Sequence, residues 1–168
     1  MKNLYQKYIK KASSMLFKKS LKSEILHISK VTKILEKGKV IRFKVVVATG
    51  NSKNLIGLGI GKDINLAIAR KKAIESSYKN LVFVKHYFTE NEEKTIPVNI
   101  LIKMKKTLIL FKPNSKKTGI RASKLFFVLA KLAGFDHLLV KRIKSKNVMN
   151  NIYAFFDFID RIKETKIV

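Results

Sequence analysis

From about residue 24 the chain takes on the alternation of apolar and polar residues, with a period of two, that is typical of β-strands. Over residues 41–47 this alternation predicts a strand with one buried face and one basic face. Residues 25–35 and 55–60 are further strand candidates, and residues 50–54 form a turn cluster before the latter. We therefore predict three antiparallel strands in this part of the chain.

The period changes over residues 64–81, where apolar residues recur at helical spacing and basic residues occupy the remaining positions. Asp63, just before this segment, is the predicted N-cap. The positions expected on one helical face are Ile64, Ala67, Ile68, Ile74, Tyr78 and Leu81. The first unit of the chain is thus predicted to have the order β-β-β-α.

Residues 87–94 hold the acidic cluster of the sequence and lack apolar periodicity, so we predict a linker or exposed loop there. Its acidic residues are Glu90, Glu92 and Glu93. Alternation resumes beyond it and predicts strands near residues 96–102 and 107–111. A second structured unit therefore begins at about residue 95.

The second unit continues with a basic loop at residues 112–119. Residues 125–132 carry a helical apolar stripe, and Gly134 is well suited to end that helix. Residues 138–143 predict a strand, and Asn147 is the expected cap of a last helix. The order of this unit is therefore β-β-α-β-α, and the predicted fold class is α+β.

Charge is the strongest functional signal in the sequence. The chain has 37 Lys and Arg against 11 Asp and Glu, a formal net charge of +26, with 46% hydrophobic residues. So many like charges on a folded domain repel one another unless a polyanion neutralises them. Nucleic acid is the usual polyanion, and an anionic membrane surface is the other candidate. No apolar run approaches the roughly 20 residues of a membrane span. Of the two polyanions, we expect nucleic acid as the partner and no membrane.

The N-terminal stretch, residues 1–23, contains seven Lys and no acidic residue. Such a segment favours a basic arm that lies along phosphate backbones. A solvated tail and a targeting segment are the alternatives, although transit peptides favour Arg and Ser over Lys.

Three glycines ahead of a lysine invite a phosphate-loop interpretation. Gly57, Gly59 and Gly61 precede Lys62, but the spacing of the glycines and the residue after the lysine do not fit a Walker loop. A close backbone approach, either to RNA or to a packed helix, explains these glycines better.

Other candidates for catalysis are isolated along the chain. There is no Cys, and the three His residues show no metal-ligand spacing. Asp157 and Asp160 are more consistent with ion pairs to Arg161 or Lys163 than with an acid–base pair. We therefore predict no enzyme activity, no bound metal and no cofactor.

Basic residues form three groups in addition to the arm. The groups are Lys37, Lys39, Arg42 and Lys44; Lys112, Lys116, Lys117, Arg121 and Lys124; and Lys141, Arg142, Lys144 and Lys146. Each group alone is compatible with a solvated face, but three groups and an arm favour a polyanionic partner. Lys outnumbers Arg, which favours phosphate contacts over base readout.

Several motifs occur in the order of a known family. Residues 50–62 are similar to its Gly-Asp-Gly-Asn-Gly-x-x-Gly-x-Gly-x-Gly-Lys run. The others are Lys72-Ala73-Ile74-Glu75, Thr95-Ile96-Pro97-Val98, the loop at residues 112–120, Leu132-Ala133-Gly134 and Ser145-Lys146-Asn147. From about residue 21 to 162 the chain thus resembles the fifth protein of the small ribosomal subunit, of bacterial or organellar type.

The resemblance implies a domain like a double-stranded-RNA-binding domain at residues 24–86 and a split β-α-β domain at residues 95–168, with residues 87–94 as linker. It implies binding to small-subunit rRNA in the body near the mRNA entry channel and the neck. It also implies mRNA and the subunit's fourth and eighth proteins as partners, and a role in assembly, decoding accuracy and translation.

The expected rRNA-binding residues combine the basic groups with the family's loops. They are Lys37, Gly38, Lys39, Arg42, Lys44, Lys53, Asn54, Lys62, Lys112, Ser115, Lys116, Lys117, Thr118, Arg121, Lys124, Lys141, Arg142, Lys144, Lys146 and Asn147. The chain departs from the family at Lys37, Ser52, Asn54 and Lys117, where glycines are expected. Each lost glycine limits the approach of the backbone to RNA.

Two other functions compete with a ribosomal role: a free-standing double-stranded-RNA-binding module and an NTP-dependent RNA enzyme. The many Lys, Ile and Asn residues indicate an AT-rich coding genome. We therefore expect a ribosome of an organelle (plastid, relict plastid or mitochondrion) or of a reduced-genome bacterium.

Overall fold

The computed structural model of the chain describes residues 20–36, 38–88, 93–114 and 118–164. Several predictions fall outside the described residues. They concern the basic arm up to residue 19 and the residues Lys37, Glu90, Glu92, Ser115, Lys116 and Lys117.

The first unit is a four-stranded antiparallel sheet in the order β1-β2-β3-β4. Its strands are β1 (Lys22–Leu35), β2 (Gly38–Gly50), β3 (Leu55–Asp63) and β4 (Leu81–Phe83). The three predicted strands are confirmed. The fourth was not predicted, because three residues are too few to show a period and its partner strand lies far away in sequence.

Helix α1 (Leu66–Lys79) packs on this sheet, but it begins later than predicted. The prediction that Asp63 caps this helix is wrong. Asn65 caps the helix, and its side-chain oxygen accepts a hydrogen bond from the Ala67 N–H at 2.9 Å. Asp63 instead ends β3, accepts from the Asn65 N–H at 3.2 Å and pairs with Lys72.

The buried face of α1 also differs from the predicted one. Its buried residues are Ala69, Ala73 and Ser77, whereas Ile64 is 63% exposed and Ile68 is 46% exposed. Small side chains face the sheet because the helix axis lies very close to it. A prediction that ranks helical faces by apolarity alone selects the wrong one here.

The glycines of β3 explain this close approach. Gly57, Gly59 and Gly61 alternate along β3 and lie on the face toward α1. A Cβ atom on Gly59 would lie 1.9 Å from the Ala73 carbonyl oxygen. The packed helix, rather than RNA, therefore accounts for the absence of side chains at these positions.

The predicted linker contains two short paired strands. β5 (Tyr87–Phe88) and β6 (Lys94–Thr95) form an antiparallel pair on either side of residues 89–92. Because the paired ends lie side by side, the chain leaves this stretch close to the point where it enters.

The second unit has a four-stranded sheet in the order β7-β8-β10-β9. Its strands are β7 (Ile100–Met104), β8 (Thr107–Lys112), β9 (Ile120–Arg121) and β10 (Leu138–Lys144). β9 is parallel to β10, and the other pairs are antiparallel. The predicted order β-β-α-β-α lacks β9, because a strand of two residues shows no period. The strand predicted near residues 96–102 is shorter than expected, because Pro97 and Val98 form a bend before Ile100.

Two helices complete the second unit, α2 (Lys124–Ala133) and α3 (Val148–Glu164). Gly134 ends α2 in the left-handed conformation with φ 88°, as predicted. The Asn147 side-chain oxygen accepts from the Met149 N–H at 3.1 Å, which confirms it as a cap. Among helices in the described ranges, none combines the length and apolar content needed to cross a bilayer.

One hydrophobic core joins the two units. Val46, Ala48 and Ile56 of the first sheet belong to the same buried cluster as Phe111 and Phe158, whose rings stack at 3.8 Å between centroids. The other side of β2 packs on α1 through a separate cluster made of Val45, Val47, Ala69 and Ala73. The inner half of β2 is therefore buried on both faces, and the expected basic face is confined to its outer half.

The seam between the units is narrow at the end of α2. The Ser52 N–H donates to the Leu132 carbonyl at 3.0 Å. A Cβ atom on Gly134 would lie 2.5 Å from the Lys53 carbonyl oxygen. Gly134 therefore meets two needs at once, a positive φ and room for the turn of the first unit.

Candidate nucleic-acid interface

The β1–β2 hairpin extends beyond the rest of the first sheet. β3 pairs with β2 only from Phe43 onward, whereas β1 follows β2 out to Gly38. We call residues 30–36 and 38–42 the hairpin arm. Apolar side chains on both of its faces are solvated, since Ile34 is 75% exposed and Val31, on the opposite face, is 43% exposed. The arm is thus accessible from both faces.

Basic side chains occupy both faces of the hairpin arm. Lys39 and Arg42 lie on opposite faces, because successive residues of a strand alternate. The pairing register adds Lys33 to the face of Arg42 and Lys30 to the face of Lys39. The arm therefore presents positive charge in two directions, which suits insertion between two phosphate backbones.

The basic face of Arg42 continues across the sheet. Lys44 on β2 lies directly opposite Lys62 on β3, on the side that also carries Val46. Lys62 is exposed and Lys44 is half-buried at the edge of the shared core. The structure thus brings together Arg42, Lys44 and Lys62, which the sequence assigned to two different segments.

A second basic surface covers the outer face of the second sheet. Lys112 and Arg121 flank Leu139 from the two neighbouring strands, about 10 Å apart on strand spacing. Lys141 follows two residues later on the same face, and Lys144 joins it opposite Leu108 after a register shift. We call Lys112, Arg121, Lys141 and Lys144 the sheet surface.

Apolar residues lie between the cations of the sheet surface. Leu108 and Leu110 are half-buried, and Leu101 is 51% exposed on the edge strand. Lys103, opposite Leu108, adds a cation that the sequence interpretation missed. Its alternation in phase with Leu101 was the available signal. The sheet surface therefore mixes apolar and basic side chains.

Arg142 lies on the opposite side of the second sheet from Lys141, the residue before it. It points to the inner side of the second sheet, opposite Ile109, and there it lines a cavity together with Lys124. Ser123 caps α2 with extended backbone but makes no side-chain hydrogen bond to the first turn. The positive end of α2 and two cations therefore meet at one opening.

Two predicted contact residues serve the local fold. Asn51 accepts from the backbone N–H groups of Lys53 and Asn54 at 2.9 and 3.0 Å, and its side-chain amide donates to the Asn54 side chain at 3.1 Å. Asn54 thus shapes the turn, while the Lys53 side chain is exposed. Asn147 is likewise engaged in capping α3, with Lys146 exposed beside it.

The ends of the second basic loop are anchored to a buried histidine. The Gly119 N–H donates to His137 Nδ1 at 3.2 Å, and the Asn114 amide donates to the Gly119 carbonyl at 2.9 Å. His137 Nε2 lies 3.1 Å from a Glu93 carboxylate oxygen. These contacts fix the position of Lys112 and of exposed Thr118 at either end of the loop.

Carboxylates neutralise other parts of the molecule. The Lys and Arg ion pairs of the described residues join Lys72 to Asp63, Arg161 to Asp157 and Lys163 to Asp160. The last two confirm the surface ion pairs predicted for Asp157 and Asp160. Within the same residues, no ion pair involves the hairpin arm, Lys44, Lys62, the sheet surface or the two cations of the cavity.

Two features of the described residues bear on the phosphate-loop and metal-site interpretations. Gly57, Gly59 and Gly61 lie within a strand and not in a phosphate-binding loop. No group of three His, Cys, Asp or Glu side chains in the described ranges is arranged to hold a metal ion.

The sequence is similar to known proteins over both units. The family model described as "Ribosomal protein S5, N-terminal domain" matches residues 21–85, and the C-terminal domain model matches residues 102–167. "Small ribosomal subunit protein uS5" from two serotypes of Campylobacter jejuni subsp. jejuni, O:23/36 and O:6, is 33% identical over 139 residues. The match covers 83% of this chain and 91% of each relative. The protein of C. jejuni strain RM1221 matches equally well.

These matches define the class of the protein as a structural protein of the small ribosomal subunit, which is not an enzyme class. The chain belongs to the ribosomal protein S5 family, with both of its domains present. The predicted family and the predicted α+β fold are thereby confirmed.

Proposed function

We propose that the chain binds small-subunit rRNA through the hairpin arm, Lys44 with Lys62, the sheet surface and the two cations of the cavity. The observation that carries this proposal is that, among the described residues, these cations form no ion pair with a carboxylate. Phosphates are the partners that neutralise such a surface, and release of their counterions drives the binding. The mechanism is recognition of backbone and shape in A-form helices, with little base readout.

We also propose a location within the subunit, which the resemblance to the family supports. We place the chain in the body of the small subunit near the mRNA entry channel, with the hairpin arm directed toward the neck. Its protein neighbours there are the subunit's fourth and eighth proteins, and mRNA passes close by. In that place the chain supports assembly and decoding accuracy by holding rRNA helices in a fixed arrangement.

Sedimentation tests the proposal. Tagged chain expressed in its native cells is run on a sucrose gradient at moderate salt, and the rRNA of each fraction is sequenced. Comigration with the small subunit and its rRNA is expected. Redistribution over many RNAs would support the free-standing RNA-binding module instead.

A separate assay addresses NTP-dependent chemistry. Purified chain is mixed with rRNA and ATP or GTP, and phosphate release is measured for the wild type and for Lys62→Ala. We expect no release with either protein. RNA-stimulated hydrolysis that Lys62→Ala abolishes would contradict the structural role.

We also propose that the ribosome is that of an organelle or of a reduced-genome bacterium. The support is compositional, since the chain is rich in Lys, Ile and Asn, which AT-rich codons encode. The relatives named above are bacterial. Fractionation of the source cells, with the chain followed by antibody in organelle and cytosol fractions, distinguishes the two origins.

A further inference from the structure

A small apolar cavity lies where β1, β10, α2 and α3 meet, at the seam between the two units. Its volume is about 260 Å³. The walls are aliphatic and come from three separate elements: Ile25, Leu26, Leu125, Val128 and Val148. A space of this size is below the range of whole-cofactor sites, yet large enough for one planar ring.

One polar side chain breaks the apolar lining. Asn151 of α3 lines the cavity, is 1% exposed, and leaves both its amide nitrogen and its amide oxygen without a hydrogen-bond partner. Buried amides are normally paired, because an unpaired one loses its hydrogen bonds to water without replacement. Both amide atoms are covered in the free chain, so they can pair with a ligand only after the Asn151 side chain turns toward the cavity.

The opening of the cavity is positively charged. Lys124 and Arg142 line it, and both residues are exposed. Lys124 is also the first residue of α2, whose first turn receives no side-chain cap from Ser123. A phosphate at this opening would meet two cations and the positive end of a helix.

We infer that this cavity holds one unstacked nucleobase of the rRNA, with the attached phosphate at Lys124 and Arg142. Aliphatic walls suit the faces of a base, and the Asn151 amide complements the donor and acceptor edge of adenine. Proteins read RNA sequence chiefly at such unstacked bases. This inference rests on the proposed rRNA binding and adds one base-specific contact to a surface that otherwise reads backbone.

Chemical footprinting tests the inference. Full-length chain is bound to transcribed small-subunit rRNA and treated with dimethyl sulfate, which methylates accessible adenine and cytosine. The variants are Asn151→Leu, which replaces the amide by an apolar side chain of similar shape, and Asn150→Leu, a matched control on the same helical turn. Thermal unfolding of each free protein is measured in parallel.

With the wild type and with Asn150→Leu we expect protection of one unpaired adenine or cytosine. With Asn151→Leu that protection is lost and the affinity for the rRNA falls about tenfold, which is the scale of a good base contact. Thermal stability of the free chain is unchanged or higher, because an unpaired buried amide is removed.

Two results overturn the inference. An identical footprint and affinity with Asn151→Leu, whatever its melting temperature, would mean that the cavity holds no base. Absence of any footprint with the wild type refutes the proposed rRNA binding itself, which separates the two failures.

Discussion

Lys44 and Lys62 lie directly opposite each other on adjacent antiparallel strands, with their side chains on the same face of the sheet. Like charges in this arrangement destabilise a strand pair. Asp63 follows Lys62 in the sequence, but its carboxylate pairs with Lys72 and not with Lys62. The strand pair is therefore less stable in the free chain than it is with an anion bound between the two ammonium groups.

Replacing one of these lysines should raise the stability of the free chain and lower its affinity for RNA. For Lys44→Gln we expect the free energy of unfolding to rise by about 0.5 kcal/mol at low salt, because the repulsion is removed. Affinity for small-subunit rRNA should fall. Urea unfolding and filter binding measure the two quantities.

Lys39→Gln is the matched control for this pair. Lys39 lies opposite Ile34, so the substitution removes a cation of the hairpin arm without relieving any repulsion. Its RNA affinity should fall with no gain in stability. Equal stability of the wild type and Lys44→Gln at low salt would contradict our account of the pair.

The sheet surface should control the salt dependence of binding. Combining Lys112→Gln, Arg121→Gln and Lys141→Gln removes three phosphate contacts, so the slope of log affinity against log salt should fall by about 2 to 3. Lys71→Gln, Lys79→Gln and Lys131→Gln together make the same change in net charge away from this surface. That control should leave the slope nearly unchanged, and equal slopes for the two triple variants would refute the assignment of the surface.

Gly59 should be intolerant of any side chain. In Gly59→Ala the new Cβ atom would meet the Ala73 carbonyl and the backbone nitrogen of Ser77, so α1 must move away from β3. We expect a loss of about 1 to 3 kcal/mol in the free energy of unfolding, the usual cost of overpacking. Ala67→Ser on the exposed side of α1 should change it by less than about 0.5 kcal/mol. Wild-type stability of Gly59→Ala would show that α1 does not approach as closely as described.

His86 gives the seam between the units a pH dependence. Its ring packs edge-on against Phe135 at 4.8 Å between centroids. Burial lowers the pKa of the imidazole below its ordinary value, and the charge of Lys94 lowers it further. The carbonyls of Lys53 and Ala133 and the carboxylate of Asp136 oppose this pKa shift.

The sign of the effect on stability follows from proton uptake. As the pH falls below the ordinary histidine value of about 6.5, the unfolded chain binds a proton that the folded chain still excludes. His86 therefore destabilises the fold progressively below that pH. In His86→Phe we expect a smaller drop in melting temperature between pH 7 and pH 5 than in the wild type. Parallel curves for the two proteins would exclude His86 as the source.

The sequence predicted most elements of the fold because their periods were strong and their caps local. Gly134 and Asn147 acted through neighbouring residues, so their roles were visible in the sequence. The buried face of α1 could not be predicted in this way. Its packing depends on the glycines of β3, and the pattern of residues within the helix carries no information about them. The shared core was also hidden, since Val46 reads as part of a half-polar strand and not as a residue covered by a distant helix.

The candidate interface shows the same limit. Sequence proximity grouped Lys141 with Arg142, yet strand alternation sends them to opposite sides of the second sheet. Register across strands instead joins Lys112 to Arg121 through Leu139. Such groupings depend on strand order, which the sequence does not state. Asn151 gave no signal, because its importance comes from the hydrogen bonds that it lacks.

The double-sided burial of β2 has a consequence for biosynthesis. The first sheet emerges from the translating ribosome with Val46 and Ala48 on a face that α2, encoded some 80 residues later, will cover. Until that helix is synthesised, the apolar face of the nascent sheet is exposed to solvent. We expect this delay to favour chaperone binding to the growing chain, or a folding step that is completed only late in synthesis.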